Sequence, residues 1–502
     1  MGWKSHIIKP FAKQTAWTIE KLSKSGIEAQ SAVFKKLISD GKNTVFGQDH
    51  KFGNIKTHAD FVKNVPLRDY EALKSYIERV KNGEANILWR GKPAYFAKTS
   101  GTTSGVKYIP ITKDSLPNHF GSARNALFNF SAKTENYNWA DGKQIFLSGS
   151  PELDETGGIK TGRLSGISNH LVPQWLRSSQ MPSYKTNCIE DWEKKLDAIV
   201  RETNGEKMTL ISGIPPWVQM YYERLLDFTG KKTILDIFPH YSVFVYGGVN
   251  FEPYRAKLES LVGGQINSVE VFPASEGFIA FQDEPTEKSL WLNVDSGIFF
   301  EFVPTSEIFK ENPTRLSLTD VEIGVNYALI INNNAGLWGY NIGDTVKFTS
   351  KNPYRLLVTG RIKHFISAFG EHVIGKEVEA ALLSVAKQKN SRIIEFHVAP
   401  QINPPEGGLP YHEWFIEFDE MPKFLGEFSQ KVDEAMTQEN IYYDDLIKGF
   451  ILQPLIIRPV KRNTFRDYMK IQGKLGGQNK VPRLANDRVI ADALVKNIIY
   501  PK

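Results

Sequence analysis

Residues 95–112, YFAKTSGTTSGVKYIPIT, are the stretch on which the rest of the chain turns. An apolar lead of Tyr95, Phe96 and Ala97 runs into a loop of small residues, Thr99-Ser100-Gly101-Thr102-Thr103-Ser104-Gly105. Lys107 and a second apolar stretch, Tyr108 to Ile111, follow it. Such a loop presents closely spaced backbone N–H groups, several hydroxyls and one ammonium, with no bulky side chain in the way. A polyphosphate needs that combination. The spacing is G-x-x-x-G-x-K with Tyr108 after the lysine, which is not the G-x-x-x-x-G-K-[ST] of a P-loop. Taken alone, the stretch fits a polar hairpin between two strands as well as it fits a phosphate cradle.

At 502 residues the chain exceeds one hydrophobic core, so two or more domains are expected. Hydrophobic residues make up 41% and charged residues 24%, ordinary values for a folded soluble protein. No apolar run is long enough to span a membrane. The first residues lack the apolar core of a secretory signal, and His6 stands where an N-myristoylation signal needs Ser or Thr. The single cysteine, Cys188, excludes an internal disulfide and an all-cysteine metal site. A net charge of +6 is spread without the concentrated basic stripe of a nucleic-acid binder. These features lead us to expect a cytoplasmic protein without nucleic-acid or membrane partners.

Residues 8–40 read as helical, with apolar residues at mixed spacing. A clearer helix begins after Asp69, where Leu73, Tyr76, Ile77 and Val80 fall at i, i+3, i+4, i+7 and Asn82-Gly83 ends it. From 114 to about 290, strands (144–148, 209–214, 242–246, 269–273) alternate with helices (190–203 and one opening at Pro215-Pro216). That alternation predicts a parallel sheet covered by helices. Strands then follow in succession at 290–294, 298–303, 327–332, 345–349 and 354–358, which predicts an antiparallel subdomain over about 290–360. The expected fold is α/β: a large domain of residues 1–360 and a smaller mobile α+β domain of residues 361–502. The smaller one should hold a helix with Val378, Ala381, Leu382 and Val385 on one face and strands at 393–398, 414–418 and 452–457.

Ligands of open α/β sheets bind beyond the carboxyl ends of the strands. The opening loop, Gly247-Gly248 and Ala274-Ser275-Glu276-Gly277 fall at such ends. Paired glycines allow a flat ring or a phosphate to approach the backbone, or simply make a tight turn. Glu276 offers a carboxylate to a magnesium ion carried by phosphates, or is a solvated acid near a helix start. Asp344, after Gly343, offers acceptors to ribose hydroxyls, although a Gly-Asp pair is also common in turns. Lys474, Lys480 and Arg483 lie in a glycine-containing loop, GKLGGQNKVPR, at 473–483. His170, Trp175, Trp217, Met220 and Tyr221 are acyl-pocket candidates by position, and each is equally explained as core or surface.

The order SGTTSGxK, GG, ASEG, GD, GR and a late lysine resembles the adenylate-forming superfamily of acyl-CoA synthetases, adenylation domains and luciferases. Within it, Ser100-Gly101-Thr102, Ala274-Ser275-Glu276 and Gln478-Asn479-Lys480-Val481-Pro482-Arg483 resemble the GH3 family of acyl acid amido synthetases. The resemblance implies an ATP-dependent ligase that adenylates a carboxylic acid and passes the acyl group to an amine, releasing AMP and pyrophosphate. It implies that Ser100, Gly101, Thr102, Thr103, Gly105 and Lys107 hold the outer phosphates, that Ala274-Ser275 meets the α-phosphate, and that Glu276 binds magnesium. By the same resemblance Gly247-Gly248 help form the nucleotide site, and Asp344 and Arg361 bind the ribose. It implies too that Lys480, or Lys474 in its place, bridges the substrate carboxylate and the α-phosphate, that Lys363 is an interdomain hinge, and that the protein is a monomer, the family default.

Three departures mark this chain. Gly105-Val106-Lys107 is one residue shorter before the lysine than the plant pattern. Asn341 replaces an arginine, and Gly360–Glu379 is closer to acyl-CoA and peptide-adenylating enzymes. The last point keeps a thioester-forming ligase as an alternative, with a non-catalytic nucleotide-binding protein on the same fold as a second.

Overall fold

The computed structural model describes residues 2–102, 105–172, 177–248, 251–362, 365–366, 368–371, 373–472 and 481–499. The chain divides into two compact units: residues up to Ile362, less two three-residue segments, and the remainder.

In the first unit, β1 (Tyr95–Thr102) and β2 (Gly105–Ile111) join β4 (Asp154–Thr156) and β5 (Ile159–Gly162) in a sheet of order β2-β1-β5-β4. The larger sheet holds β3 (Lys143–Phe146), β6 (Gln180–Met181), β7 (Met208–Ser212), β8 (Val243–Gly247), β9 (Ser268–Ala274) and β10 (Gly277–Phe281). It continues with β11 (Leu290–Leu292), β12 (Ile298–Pro304), β13 (Asn326–Asn333), β14 (Tyr340–Lys351) and β15 (Tyr354–Arg361). Its order is β12-β13-β14-β15-β11-β10-β9-β8-β7-β3-β6. Pairing is parallel from β6 to β9 and antiparallel from β9 to β12.

The expected parallel strands are therefore present, but the strands from 290 onward do not close a sheet of their own. They extend the parallel sheet. The switch is made at β10, which folds back on β9 and offers its free edge to β11. Residues of β11 and nearly all of β12 and β13 are buried, so these strands have both faces covered, even β12 at the end of the sheet.

Helices pack where their periodicity predicts. Residues 8–40 resolve into two helices, Trp3–Ser23 and Gly26–Gly41. In the helix Tyr70–Lys81 the Asp69 carboxylate accepts from the Ala72 N–H at 3.1 Å, Leu73, Ile77 and Val80 are buried, and Gly83 leaves the helix in the left-handed region. Among the described residues no helix is long and apolar enough to cross a membrane.

In the second unit, Val378, Ala381, Leu382 and Val385 are buried on the helix Gly375–Gln388. The short pair β16 (Phe365–Ile366) and β17 (Val373–Ile374) precedes it. A sheet of β18 (Arg392–Gln401), β19 (Tyr411–Glu420) and β20 (Ile456–Val460) follows. The last strand begins four residues later than the apolar run suggests. Leu452 and Leu455 are buried in the approach to the strand rather than in it.

Among the buried charged groups of the first unit, Glu301 is the most enclosed. Glu301 on β12 is fully buried, and it receives Arg315 Nη2 at 2.6 Å, Asn332 Nδ2 at 2.8 Å and His58 Nε2 at 2.7 Å. Burial raises its pKa, but the Arg315 charge and the hydrogen bonds from His58 and Arg315 prevail and hold it at about 2. A carboxyl depressed in the folded state stabilises above its ordinary pKa and loses that contribution as pH falls toward 2. Arg315→Met should cost about 3 kcal/mol at neutral pH by leaving Glu301 charged and buried with only the His58 and Asn332 hydrogen bonds. Urea unfolding should show the deficit shrinking as pH is lowered below 4.

Candidate active site

The carboxyl ends of β8 and β9 lie side by side, with Gly247 opposite Val271. A Cβ at Gly247 would stand 2.3 Å from the Val271 carbonyl oxygen, so only glycine fits there, and Gly248 follows in the left-handed region. Beyond β9, Ala274 pairs with Gly277, which makes Ser275-Glu276 a two-residue hairpin turn rather than the start of a helix. Both residues are half-buried. The turn is pinned from across the sheet, where Asn333 Nδ2 donates to the Glu276 carbonyl at 2.7 Å. Asn333 Oδ1 meanwhile accepts from the Ala335 and Leu337 N–H groups, each at 3.0 Å.

The opening loop is shorter than its composition suggests. Ser100, Gly101 and Thr102 belong to β1, and β2 resumes at Gly105. Thr103 lies outside the described residues, and for Ser100 to Thr102 and Gly105 only the backbone is described. Lys107 is half-buried on β2, with its ammonium 5.8 Å from the centre of the Tyr70 ring. The Tyr70 hydroxyl accepts from the Tyr108 N–H at 2.9 Å, and burial pushes its own pKa up to about 12. At the foot of the hairpin, Thr112 Oγ1 donates to the Asn334 carbonyl at 2.7 Å, and Asn334 Nδ2 donates to the Asp114 carbonyl at 2.7 Å.

Tyr70 also ties this hairpin to the Gly-Asp segment. Two residues before it, the Arg68 N–H donates to the Gly339 carbonyl and the Asn341 N–H donates to the Arg68 carbonyl, both at 2.8 Å. Asp344 lies within β14 and not in a turn: Ile330 faces Asn341 and Ala328 faces Thr345, so residues 342–344 bulge opposite a single residue of β13. Gly343 provides the left-handed residue of this bulge, and its N–H is held by Asn341 Oδ1 at 2.9 Å. Asp344 is buried and faces Arg361 in the ladder with β15, where the Arg361 backbone alone is described.

The first unit thus gathers Lys107, the Ser275-Glu276 turn and Asp344 onto segments joined through Tyr70, Arg68 and the Asn333-Asn334 turn. Gly247-Gly248 stand on the neighbouring strand end. Lys363, Lys474, Lys480 and Trp175 lie outside the described residues. Of the acyl-pocket candidates, His170 is committed through Nε2 to the Pro151 carbonyl at 2.6 Å. Tyr221 is fully buried, its hydroxyl 2.7 Å from Thr203 Oγ1, which makes it a core side chain. Met220 and Trp217 are half-buried on the same helix, Pro215–Thr229.

Sequence reading missed Asn333, Tyr70 and the wide turn Pro117–Gly121. There Asn118 clamps β10, donating to the Phe278 carbonyl at 3.1 Å and accepting from the Phe278 N–H at 2.7 Å. Its neighbour His119 is buried, and desolvation holds its pKa down at about 4, so the ring is neutral at physiological pH. The signal available was modest: an asparagine triplet at 332–334 and an Asn-His pair between apolar runs. Among the described residues no three His, Cys, Asp or Glu side chains cluster as a metal cage. A single carboxylate such as Glu276 suits a magnesium ion that keeps most of its other ligands from phosphate and water.

Known proteins share this organisation. The GH3 family N-terminal, central and C-terminal domains match residues 16–182, 291–361 and 376–489 respectively. The jasmonoyl–L-amino acid synthetase GH3.5 of Oryza sativa subsp. japonica is 21% identical, with 94% of this chain and 95% of that protein covered. The indole-3-acetic acid-amido synthetase GH3.3 of Arabidopsis thaliana is 25% identical, with coverage of 96% and 93%. Among solved structures, the AtGH3.15 acyl acid amido synthetase in complex with 2,4-DB superposes with a TM-score of 0.61 at 17% identity, over 97% of this chain and 96% of that one. With family domains matched from its first helix to its last and relatives aligned over nearly their whole lengths, this chain belongs to the GH3 family.

Proposed function

We propose that the protein is an ATP-dependent acyl acid amido synthetase that joins a carboxylic acid to an amine, most naturally the amine of an amino acid. The observation that carries this reading is the asparagine turn after β13. It holds the Glu276 turn through Asn333 and the foot of the β1–β2 hairpin through Asn334, so that phosphate-binding and metal-binding groups share one support.

In the first half-reaction a carboxylate oxygen attacks the α-phosphorus of ATP and pyrophosphate leaves. In the second, the amine nitrogen attacks the acyl carbon, AMP leaves and the nitrogen gives up a proton. Both steps gather negative charge at phosphate oxygens, so the protein must present preorganised donors there and keep water from the mixed anhydride. Backbone N–H groups and hydroxyls of Ser100, Gly101, Thr102, Thr103 and Gly105, with the Lys107 ammonium, take the outer phosphates. Ala274-Ser275 take the α-phosphate, and Asp344 with Arg361 takes the ribose beside Gly247-Gly248. Magnesium, held by Glu276, would neutralise the departing pyrophosphate. Lys480 brings substrate carboxylate and α-phosphate together, with Lys474 as its alternative, and Lys363 is the hinge between the half-reactions.

Acid-dependent exchange of pyrophosphate into ATP reads the first half-reaction, and a panel of amino acids against coenzyme A reads the second. Amide should form. Thioester without amide would replace this reading with a coenzyme A ligase, and tight ATP binding without exchange for any acid would leave a nucleotide-binding protein.

Glu276→Gln should lower the exchange rate roughly a hundredfold. Lys363→Pro should spare one half-reaction and damage the other, and equal loss of both would remove the hinge role. Asn333→Asp keeps the acceptor for Ala335 and Leu337 but loses the donor to the Glu276 carbonyl. Exchange should fall roughly tenfold or more, since small displacements at a reacting centre are expensive, while the melting temperature shifts by only a few degrees.

A further inference from the structure

The N-terminal helix, Trp3–Ser23, has an unusual surface. Ser5, Ile8, Ala12 and Ile19 are buried and face the body of the first unit. On the opposite side Trp3, Ile7, Phe11 and Trp17 stand 67%, 51%, 57% and 63% exposed. The helix is therefore already packed on one face and still presents a second apolar stripe to solvent, with Trp3, Ile7 and Phe11 one turn apart and Trp17 six residues further on. Trp3 and Trp17 are fourteen positions apart, about 21 Å along the axis at the α-helical rise.

The charge around this stripe is predominantly positive. Between residues 3 and 24 stand Lys4, Lys9, Lys13, Lys21 and Lys24 against a single acid, Glu20. Glu20 pairs with Lys24 at 2.9 Å, and Glu135 lies 3.0 Å from Lys9 and 3.7 Å from Lys13, so the surface stays net positive after its ion pairs. Each tryptophan has a lysine ammonium near its ring, Lys4 at 6.0 Å from Trp3 and Lys21 at 5.7 Å from Trp17. To one side the stripe runs into an open groove of about 330 Å³, floored by Phe281 and Trp291 and flanked by Phe11, Phe128 and Arg124. The Arg124 guanidinium donates only to the neighbouring Asn125 side chain among its described hydrogen bonds.

The geometry points to this helix as a docking surface for an anionic lipid bilayer, on which it lies flat with its tryptophans at headgroup depth. Aromatic rings with a polar edge favour that depth, and lysines beside them reach the lipid phosphates. Charge complementarity selects the bilayer over a second copy of the chain. On the line of Trp3, Ile7 and Trp17, Gln14 and Lys21 also occur and no acid does, so pairing two such helices would bury Lys21 without a carboxylate opposite it. At a bilayer surface Lys21 extends to the phosphates instead. The expectation of no membrane partner rested on the lack of a spanning segment, and an interfacial helix needs none.

The test is co-sedimentation of the full chain with vesicles of phosphatidylcholine alone and of phosphatidylcholine with a third phosphatidylglycerol. Binding should be about tenfold tighter or more to the anionic vesicles and should weaken as salt is raised. The triple substitution Trp3→Ser, Phe11→Ser, Trp17→Ser should abolish it, with the melting temperature and the vesicle-free exchange rate unchanged. The pair Lys13→Glu, Lys21→Glu should remove the preference for anionic lipid. Equal binding to both vesicle types, or undiminished binding by the triple variant, overturns the proposal. So does a dimer that the triple substitution dissociates in a protein that ignores vesicles, which would make the stripe an interface between copies.

Discussion

A buried amide at Asn333 sets the terms for the first unit. One side chain satisfies three backbone groups, the Glu276 carbonyl and the Ala335 and Leu337 N–H groups. A hairpin tip drawn in among β13 and β12 leaves its carbonyl away from water, and such a group without a partner costs about 1–3 kcal/mol. The flanking asparagines act alike. Asn332 accepts from the Gly339 N–H at 2.6 Å and donates to Glu301, and Asn334 holds Asp114. Three consecutive amides thus couple the acidic core at Glu301, the Glu276 turn and the foot of the hairpin. The carboxylate at residue 276 inherits its position from a core that has no chemistry of its own.

Much of the fold could be read in the chain because burial imposes local patterns. The helix after Asp69 announces its cap, its apolar face and its terminating glycine within fourteen residues. The parallel strands β7 to β9 appear as apolar runs between turn residues. The antiparallel run expected over 290–360 is present as β11 to β15, but that it extends the parallel sheet was not legible, because which edge a strand joins depends on a hairpin at Ala274–Gly277 and not on the strand itself. The site divides the same way. Gly247 and Gly343 were legible because close approach and positive φ demand glycine. Asn333 was not, since its bond to Glu276 spans 57 residues and asparagine is equally at home in any turn. Tyr221 stayed open between pocket and core because an aromatic on an apolar helix has the same letter in either place, and here it fills the core.

The N-terminal helix shows how an ambiguous pattern carries information. Its apolar residues have mixed spacing because two faces are written into one helix: positions 5, 8, 12 and 19 serve the core, while 3, 7, 11 and 17 do not. A packed surface helix needs one stripe and a polar remainder. A second stripe carrying two tryptophans is exposed apolar surface that the fold itself does not require, and its lysine flanks argue that it is kept for something outside the fold.

The β1–β2 hairpin raises the sharpest mechanistic question, the one-residue shortening before Lys107. In a strand, successive side chains alternate between faces, so one residue more or less sends every following side chain to the opposite face unless a bulge absorbs it. Here Val106 is exposed, and Lys107 is half-buried with its ammonium over Tyr70. The β2 register is fixed near its middle by the bond from the Tyr108 N–H to the Tyr70 hydroxyl, and at its foot by Thr112. With those points fixed, an extra residue before Lys107 could be accommodated only in the tip, not by sliding the strand. Lys107 would then keep its face, and the longer loop would change the reach of the backbone N–H groups instead. The shortening therefore leaves the face of Lys107 unchanged, because Tyr70 fixes the strand beside it.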